Sequence, residues 1–179
     1  MATTNSRDLA PKKAQADAAD NTKGLPGVFG RPIKITMLGA GSAFTPRLLR
    51  DVLQMPGNAG GQIALVDIDT ERLSTMKQVI ELLIKSTDNG TWSVTGSTDR
   101  RDVLPGSHYV VSCVEVSGVA CVAWDNDIPL KYGIDQCIGD TIGPGGIFKA
   151  LRTIPAWLGI LADIEKLCPK AIVMNYTNP

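Results

Sequence analysis

Two glycines follow the first apolar run of the sequence, which covers residues 33–38. Gly39 and Gly41 are separated by Ala40, and Ser42 comes directly after them. Gly39 permits a tight turn, and Gly41, which has no Cβ, lets the backbone approach a pyrophosphate. The N-terminus of the next helix offers its N–H groups to the same anion. This pattern predicts a dinucleotide-binding turn, although a turn that only brings a helix close to a sheet would use the same glycines.

An aspartate closes the second apolar run. Asp67 follows residues 62–66 and lies somewhat further beyond Gly41 than the usual spacing of about 20 residues. A carboxylate at this position accepts both hydroxyls of a ribose and repels a 2′-phosphate, so the sequence predicts NAD rather than NADP. Phe44 replaces the third glycine of the usual fingerprint. The predicted cofactor-binding residues are Gly39, Ala40, Gly41, Ser42 and Asp67.

A second glycine-rich segment covers residues 139–146. Four glycines and a proline accompany Asp140 and Thr141 there, and a helical pattern begins directly afterwards. Glycine at this density implies that the backbone passes close to another group. Asp140 is therefore a candidate functional residue at a helix start, where the potential is positive. From the spacing alone, an Asx-turn or cap that organises the loop is the simpler interpretation of Asp140.

Residues 175–179 follow the last apolar run. Ligands of doubly wound sheets bind at the C-terminal ends of the strands, which is where a substrate and a nicotinamide would meet. The amide of Asn178 can hydrogen-bond a hydroxyl without titrating, although an Asn-Pro turn that ends a strand fits equally well. Because the sequence stops where such a site begins, we expect it to be the N-terminal part of a longer enzyme.

Composition and charge argue against several classes of protein. The chain has 179 residues, 44% of them hydrophobic and 20% charged, and its 18 Lys and Arg balance its 18 Asp and Glu. Nucleic-acid binding is typical of chains with a basic excess. No apolar stretch reaches the ~20 residues of a membrane span, and the N-terminus has no secretory signal. We expect a soluble, cytoplasmic protein with neither a nucleic-acid nor a membrane partner.

Histidine and cysteine do not form a metal-ligand pattern in this sequence. The single histidine, His108, opens a strand, and no two of the four cysteines have C-x-x-C spacing. The sequence therefore favours neither a zinc site nor a disulfide scaffold. We interpret His108 as structural and Cys113 as part of the core. Cys121 and Cys137 flank a region that is typical of loops.

The elements that must position these residues alternate along the chain. Apolar runs predict strands at 33–38, 62–67, 92–96, 108–114 and 170–174. Helical periodicity predicts helices at 46–54, 69–86 and 147–167. The last helix has an apolar side formed by Ile147, Leu151, Ile154, Leu158 and Leu161. The alternation predicts an α/β, Rossmann-like, doubly wound and mainly parallel sheet with helices on both faces. The polar segment 1–31 is predicted to be a disordered leader, and 32–179 an NAD-binding domain.

These segments together resemble glycoside hydrolase family 4. The resemblance covers residues 33–179, essentially all of the chain after the leader. Its generic parts are Ile-Thr-Met-Leu-Gly-Ala-Gly-Ser at 35–42, Leu-Val-Asp-Ile-Asp at 65–69 and Thr-Asp-Arg at 98–100. Its specific parts are Gly-Asp-Thr-Ile-Gly-Pro-Gly-Gly-Ile-Phe at 139–148, Leu-Arg-Thr-Ile-Pro at 151–155 and Asn-Tyr-Thr-Asn-Pro at 175–179. The Gly-Asp-Thr form resembles the α-galactosidase and α-glucuronidase side of the family.

The resemblance implies a glycosidase that uses NAD⁺ and a divalent metal, usually Mn²⁺, instead of a pair of catalytic carboxylates. Hydride leaves sugar C3, the ketone acidifies the C2 proton, a base removes that proton, and the aglycone is eliminated. Water then adds and the hydride returns. Elimination beside a ketone is easier than direct cleavage of a glycosidic bond, and the cofactor is regenerated. The metal would chelate the C2 and C3 oxygens.

The resemblance also implies roles for individual residues. Gly39, Gly41 and Ser42 would hold the pyrophosphate, and Asp67 would hold the ribose.

By the same resemblance, Asp140 would lie near the leaving-group oxygen as a candidate acid, and Asn178 would bind the hydroxyls of a small glycoside substrate. The family's metal-binding Cys and His and its Tyr base lie beyond the Asn-Pro segment, so no metal ligand is expected in this chain. We expect domain 32–179 to end before the metal-binding, catalytic domain and the 179-residue chain alone to be inactive. Detectable Mn²⁺-dependent hydrolysis by this chain would contradict that expectation. The full-length form is expected to be a homo-oligomer.

Two other functions remain open at this point. A lactate- or malate-type NAD-dependent dehydrogenase shares the layout and an Asn-Pro after the fifth strand, but segments 143–146 and 151–155 argue against it. A non-catalytic NAD-binding fragment is the second alternative.

Overall fold

The structure is a computed structural model that describes residues 30–87, 91–137, 139 and 141–177. Of the leader predicted for 1–31, only Gly30 and Arg31 fall within this part, and both are exposed. The prediction for the remainder of the leader lies outside the described residues.

A parallel five-stranded sheet forms the centre of the described part of the chain. Its strands are β1 (Ile33–Leu38), β2 (Gly61–Val66), β3 (Trp92–Ser97), β4 (Tyr109–Ser112) and β5 (Ile172–Asn175). Their order is β3-β2-β1-β4-β5, and every neighbouring pair is parallel. This order reverses beside β1, as in doubly wound dinucleotide-binding sheets. The predicted Rossmann-like sheet is confirmed, with strand ends that differ by a few residues.

The helices lie on both faces of this sheet. They are α1 (Thr45–Leu53), α2 (Thr70–Ser86), α3 (Gly118–Leu130) and α4 (Pro144–Leu167), and a 3₁₀ turn spans Arg100–Asp102. Neighbouring residues of β2 point to opposite faces. Ile63 packs in one core cluster with residues of α1 and α2, and Ala64 packs in the other with residues of α4. The prediction of helices on both faces is therefore confirmed.

Helix α3 occupies the region that the sequence assigns to loops. Cys121 lies inside this helix rather than beside a loop, so that expectation is wrong. Apolar residues occur all around α3, and Pro129 lies inside it, so the sequence has no helical periodicity to detect. The helix also starts after Ser117, a non-glycine residue at φ 78°.

Helix α4 turns a different side towards the sheet than its periodicity suggests. The apolar side named above is largely exposed: Ile147, Leu151, Ile154 and Leu158 are 60%, 69%, 53% and 60% exposed. Leu161 alone of that side packs in part against the core. Ile160 and Ile164 instead cover the sheet. Because α4 carries two apolar stripes, periodicity identifies the helix and leaves its rotation about its own axis undetermined.

The two sides of α4 predict different costs for the same truncation. We expect Ile164→Ala to lower the free energy of unfolding by about 2–4 kcal/mol, because it opens a cavity in the core. The matched change Ile147→Ala removes an exposed side chain and should cost less than about 0.5 kcal/mol. Urea unfolding of both variants measures the difference. Equal costs would contradict the rotation of α4 described here.

His108 joins the start of β4 to β1. Its Nδ1 accepts a hydrogen bond from the Lys34 backbone N–H at 2.9 Å, which requires that nitrogen to be unprotonated. Burial, and secondarily the cations Arg31 and Lys34, lower the pKa of His108. These contacts agree with the structural role predicted for this histidine.

The lowered pKa of His108 predicts a loss of stability in mild acid. Its folded pKa lies below the unfolded value of about 6.5, so the unfolded state binds the proton more readily. Stability should therefore decrease as the pH falls through about 6.5 and level off below the folded pKa. Denaturant unfolding across this range should show a shallower decrease for His108→Gln. An NMR titration that gave the imidazole a pKa above 6.5 in the folded chain would contradict this prediction.

Candidate functional site

The turn after β1 passes very close to the neighbouring strand ends. Gly39 has φ 71°, and a Cβ built on it would lie 2.7 Å from the carbonyl oxygen of Cys113. Ala40 is fully buried, and its N–H donates to the carbonyl of Val66 at 2.9 Å. The turn therefore requires glycine at position 39. Residues at the ends of the two strands next to β1 fix the path of its backbone, Cys113 directly after β4 on one side and Val66 at the end of β2 on the other.

Gly41 and Asp67 meet across the ends of β1 and β2. The Gly41 N–H donates to Asp67 Oδ2 at 2.7 Å, and the Asp69 N–H donates to Asp67 Oδ1 at 3.0 Å. A Cβ on Gly41 would lie 2.8 Å from Asp67 Oδ2 and 3.0 Å from Arg72 Cβ. Backbone donors thus hold both carboxylate oxygens, and position 41 leaves no room for a side chain.

The first turn of α1 follows this pair of loops. Phe44 is the N-cap and makes no side-chain capping bond, while the Ser42 hydroxyl accepts the Phe44 N–H at 3.3 Å. Thr45 is fully buried, and its Oγ1 has no hydrogen-bond partner among the described residues. The Thr45 N–H donates to the Ser42 carbonyl at 3.0 Å and Pro46 has no N–H, so the first two positions of α1 offer no free backbone donor to an anion.

An open groove of about 710 Å³ runs along this edge of the sheet. Gly39, Gly41, Ser42 and Asp67 line it, so the structure brings four of the predicted cofactor-binding residues together. Buried Ala40 links Gly39 to Gly41 beneath this surface.

The groove is also lined by charged residues that the sequence analysis did not single out. Arg72 pairs with Asp69 at 3.4 Å, and Arg101 pairs with Asp99 at 2.8 Å. The side-chain and backbone hydrogen bonds from Arg101 lower the pKa of Asp99 to about 2. Arg100 Nε donates to Asp163 on α4 at 2.8 Å. The family-like segment 98–100 was the available sequence signal for Asp99 and Arg100.

A smaller cavity of about 200 Å³ lies between α4 and the ends of β4 and β5. Ser112, Asn175 and Lys149 contribute its polar lining. Lys149 is largely buried, and its Nζ lies 3.3 Å from Glu115 Oε2. Val114 lines both this cavity and the groove, so the two spaces adjoin.

An ion pair joins α3 to α4. The Arg152 guanidinium donates to both oxygens of Asp125, with Nη1–Oδ1 at 2.9 Å and Nη2–Oδ2 at 2.6 Å. These hydrogen bonds raise the pKa of Arg152 further. The family-like segment 151–155 contains Arg152, but no sequence signal identified Asp125 as its partner.

The glycine-rich segment 139–146 lies close to the side chain of Gln136. Gln136 Nε2 donates to the carbonyl of Asp125 at 2.6 Å, and its Oε1 accepts the Gly145 N–H at 3.2 Å. Cβ atoms on Gly139, Gly143 or Gly145 would all lie within 3 Å of the Gln136 side chain. The close approach predicted from glycine density is present, and in the described residues the approached group is Gln136.

The two remaining predicted residues, Asp140 and Asn178, lie outside the described residues. Near Asn178, the Thr177 hydroxyl donates to the carbonyl of Val114 at 3.0 Å, and the Tyr176 N–H donates to that of Ser112 at 2.8 Å. These bonds hold the segment after β5 against the end of β4. The predictions for Asp140 and Asn178 stay predictions.

Two further findings concern the described residues only. No three of their His, Cys, Asp and Glu side chains converge as metal ligands. None of their helices combines the length and the apolar character needed to span a membrane.

The sheet order, the glycine turn and the groove define a Rossmann-like α/β domain. The chain belongs to family 4 of the glycosyl hydrolases, because the model of that family matches residues 34–179. The matching family is not that of the lactate- or malate-type dehydrogenases left open above.

Curated relatives agree with the family. The chain is 42% identical over 148 residues to an α-galactosidase of Rhizobium meliloti, covering 82% of this chain and 30% of the relative. It is 41% identical over 150 residues to an α-glucosidase of Erwinia rhapontici, covering 82% and 32%. The chain thus spans about a third of the length of these relatives, and identity over this region does not distinguish their sugars.

A solved structure shares the fold. The 6-phospho-β-glucosidase of Thermotoga maritima, determined with manganese, NAD⁺ and glucose-6-phosphate, matches with a TM-score of 0.68 and 27% identity. The match covers 82% of this chain and 35% of that enzyme.

The Asp125–Arg152 pair predicts a measurable cost when its charge is removed. Asp125→Asn should lower the free energy of unfolding by about 2 kcal/mol, because the partly buried guanidinium loses its counter-charge. Asp127→Asn changes an exposed residue of the same helix and should stay within about 0.5 kcal/mol of the wild type. Thermal and urea unfolding of both variants provide the measurement. A cost for Asp125→Asn no larger than that of its control would contradict the role assigned to the pair.

Proposed function

We propose that residues 32–179 are the NAD-binding domain of a family 4 glycosidase that hydrolyses O-glycosidic bonds. The observation that carries the proposal is the contact between the Gly41 N–H and Asp67 Oδ2 at the floor of the groove. It places a side-chain-free backbone segment and a carboxylate at one strand edge, as recognition of a pyrophosphate and a ribose requires.

The residues of the groove fit NAD. Gly41 provides a surface that a Cβ would fill, and α1 begins directly after the glycine turn, so the positive end of its helix dipole lies near a bound anion. Gly39, Gly41 and Ser42 would therefore hold the pyrophosphate, with Ala40 fixing the turn from beneath. Asp67 would accept the adenosine ribose hydroxyls through the lone pairs that the backbone donors leave open.

The charged residues that line the groove support NAD over NADP. Arg72 and Arg101 are each paired with a neighbouring aspartate. A 2′-phosphate would therefore meet the Asp67 carboxylate without an uncommitted guanidinium among these groove residues, and like charges in contact cost several kcal/mol.

The proposed reaction is hydrolysis with no net change in the cofactor. When bound, NAD⁺ would supply reversible oxidation at sugar C3, which acidifies the C2 proton and permits elimination of the aglycone. The chain itself would hold the sugar beside the groove, in the adjoining cavity that Ser112, Lys149 and Asn175 line. Asn178 would bind sugar hydroxyls, and Asp140 would protonate the leaving-group oxygen.

Manganese does not fit the described residues in the same way. They contain no cluster of three candidate ligands, so no step through Mn²⁺ is assigned to them.

The proposed substrate class is a small O-glycoside. Its sugar stays open, since relatives named for galactose and for glucose match this region almost equally.

Calorimetric titration of the chain with NAD⁺ and NADP⁺ tests the proposal. We expect NAD⁺ to bind more tightly than NADP⁺. Gly41→Ala should weaken NAD⁺ binding at least about tenfold, because the new Cβ occupies the pyrophosphate approach and pushes on Asp67. Asp67→Ala should weaken NAD⁺ binding and reduce the preference over NADP⁺, since it removes both the ribose acceptor and the repulsive charge.

Asp51→Ala is the matched control, because Asp51 is an exposed aspartate at the end of α1 and does not line the groove. It should bind both cofactors as the wild type does. Absence of NAD⁺ binding by the wild-type chain, or equal loss in the control, would contradict the proposal. A dehydrogenase would accumulate NADH with a 2-hydroxy acid, whereas the proposed reaction accumulates none.

A further inference from the structure

Gln136 makes two polar contacts whose directions are fixed. The carbonyl of Asp125 can only accept, and the backbone N–H of Gly145 can only donate, so the amide must present Nε2 to the first and Oε1 to the second. A side chain with one donor end and one acceptor end is required at this position. Among the ordinary side chains of this length, glutamine alone meets that requirement when uncharged at neutral pH.

The glycine-rich loop is shaped around this amide. A Cβ on Gly139 would lie 2.5 Å from Gln136 Cδ, and one on Gly143 would lie 2.9 Å from Oε1. A Cβ on Gly145 would lie 2.8 Å from Nε2. Gly139 and Gly143 also have positive φ angles, 63° and 125°, which glycine adopts without strain. The glycines and the amide therefore depend on each other sterically.

The amide also connects the loop to both neighbouring helices. The backbone carbonyl of Asp125 on α3 accepts a hydrogen bond from Gln136. The carboxylate of the same residue accepts one from Arg152 on α4. The Gly145 N–H belongs to the first turn of α4, where backbone donors have no partner inside the helix. Gln136 therefore caps α4 and fixes the loop to α3 with a single side chain.

We infer that Gln136 is a positioning residue: its amide holds the Gly145 N–H and lies close against Gly139, and Asp140 lies between these two glycines in the sequence. The inference rests on the proposed function only in the role that it gives Asp140. No residue that Gln136 contacts in the described part of the chain lines the groove, so a change at Gln136 should alter turnover and leave NAD⁺ affinity unchanged.

Amide hydrogen exchange of Gly145 in Gln136→Glu tests the contact itself. An ionised carboxylate at this position cannot donate to the Asp125 carbonyl, and its oxygen would lie against that carbonyl oxygen, where the Gln136 amide nitrogen now lies at 2.6 Å. This repulsion should displace the side chain from the Gly145 N–H, so exchange at neutral pH should accelerate at least about tenfold. A protonated carboxyl again has one donor and one acceptor, so protection should return as the pH falls towards about 4, after correction for the intrinsic exchange rate. Gln136→Met has neither an amide donor nor a carbonyl acceptor, so the Gly145 amide should lose its protection at both pH values.

Gln78→Glu is the matched control, because Gln78 is an exposed glutamine on α2. It should leave Gly145 exchange unchanged, and the amide of buried Ile63 reports whether any variant has loosened the whole fold. The inference is overturned if Gln136→Glu leaves Gly145 exchange unchanged at neutral pH. It is equally overturned if protection fails to return in acid, or if Ile63 accelerates as much as Gly145.

The activity of the whole enzyme with a glycoside substrate provides the readout that a purely structural role would not move. We expect Gln136→Glu to lower kcat about tenfold at neutral pH with an unchanged Kd for NAD⁺, and to shift the pH profile of kcat towards acid. An unchanged kcat would overturn the positioning role. Failure of the wild-type chain to bind NAD⁺ would instead contradict the proposed function, while the exchange result at Gly145 would stand.

Discussion

The hydrogen bond from the Gly41 N–H to the Asp67 carboxylate is the contact on which the groove depends. Parallel pairing sets Leu38 opposite Val66, so the loops after β1 and β2 must leave the sheet at the same edge. They approach so closely that only glycine fits at position 41. The Asp69 N–H holds the second carboxylate oxygen, so the carboxylate is oriented before any ligand arrives. Preorganisation of this kind lowers the entropic cost of binding.

The other side of the sheet is organised by polar contacts rather than by a close backbone approach. Asp125 holds Arg152 through its carboxylate and Gln136 through its carbonyl, which joins α3, the glycine-rich loop and α4. Lys149 of α4 reaches Glu115 beside the junction of groove and cavity. These contacts support the proposal that a cofactor and a sugar would meet at the ends of β4 and β5.

Sequence reasoning succeeded where one local signal determined the structure. The run 33–38 followed by Gly39 predicted both β1 and its turn, because buried parallel strands are almost wholly apolar. It failed where tertiary contacts decided the outcome: the rotation of α4 depended on which of two apolar stripes met the sheet. The glycine density at 139–146 correctly predicted a close approach, but only the folded chain brings Gln136 into that space. The partnership of Asp125 with Arg152 likewise has no signature in the spacing.

An NMR titration of the isotopically labelled chain with NAD⁺ tests the central claim most directly. We expect saturable shifts of the Gly41, Ser42 and Asp69 amides, because these groups surround the proposed pyrophosphate and ribose positions. The amide of Gln78, on the exposed side of α2, should not move. Shifts confined to residues outside the groove, or no saturable shift at all, would contradict the account.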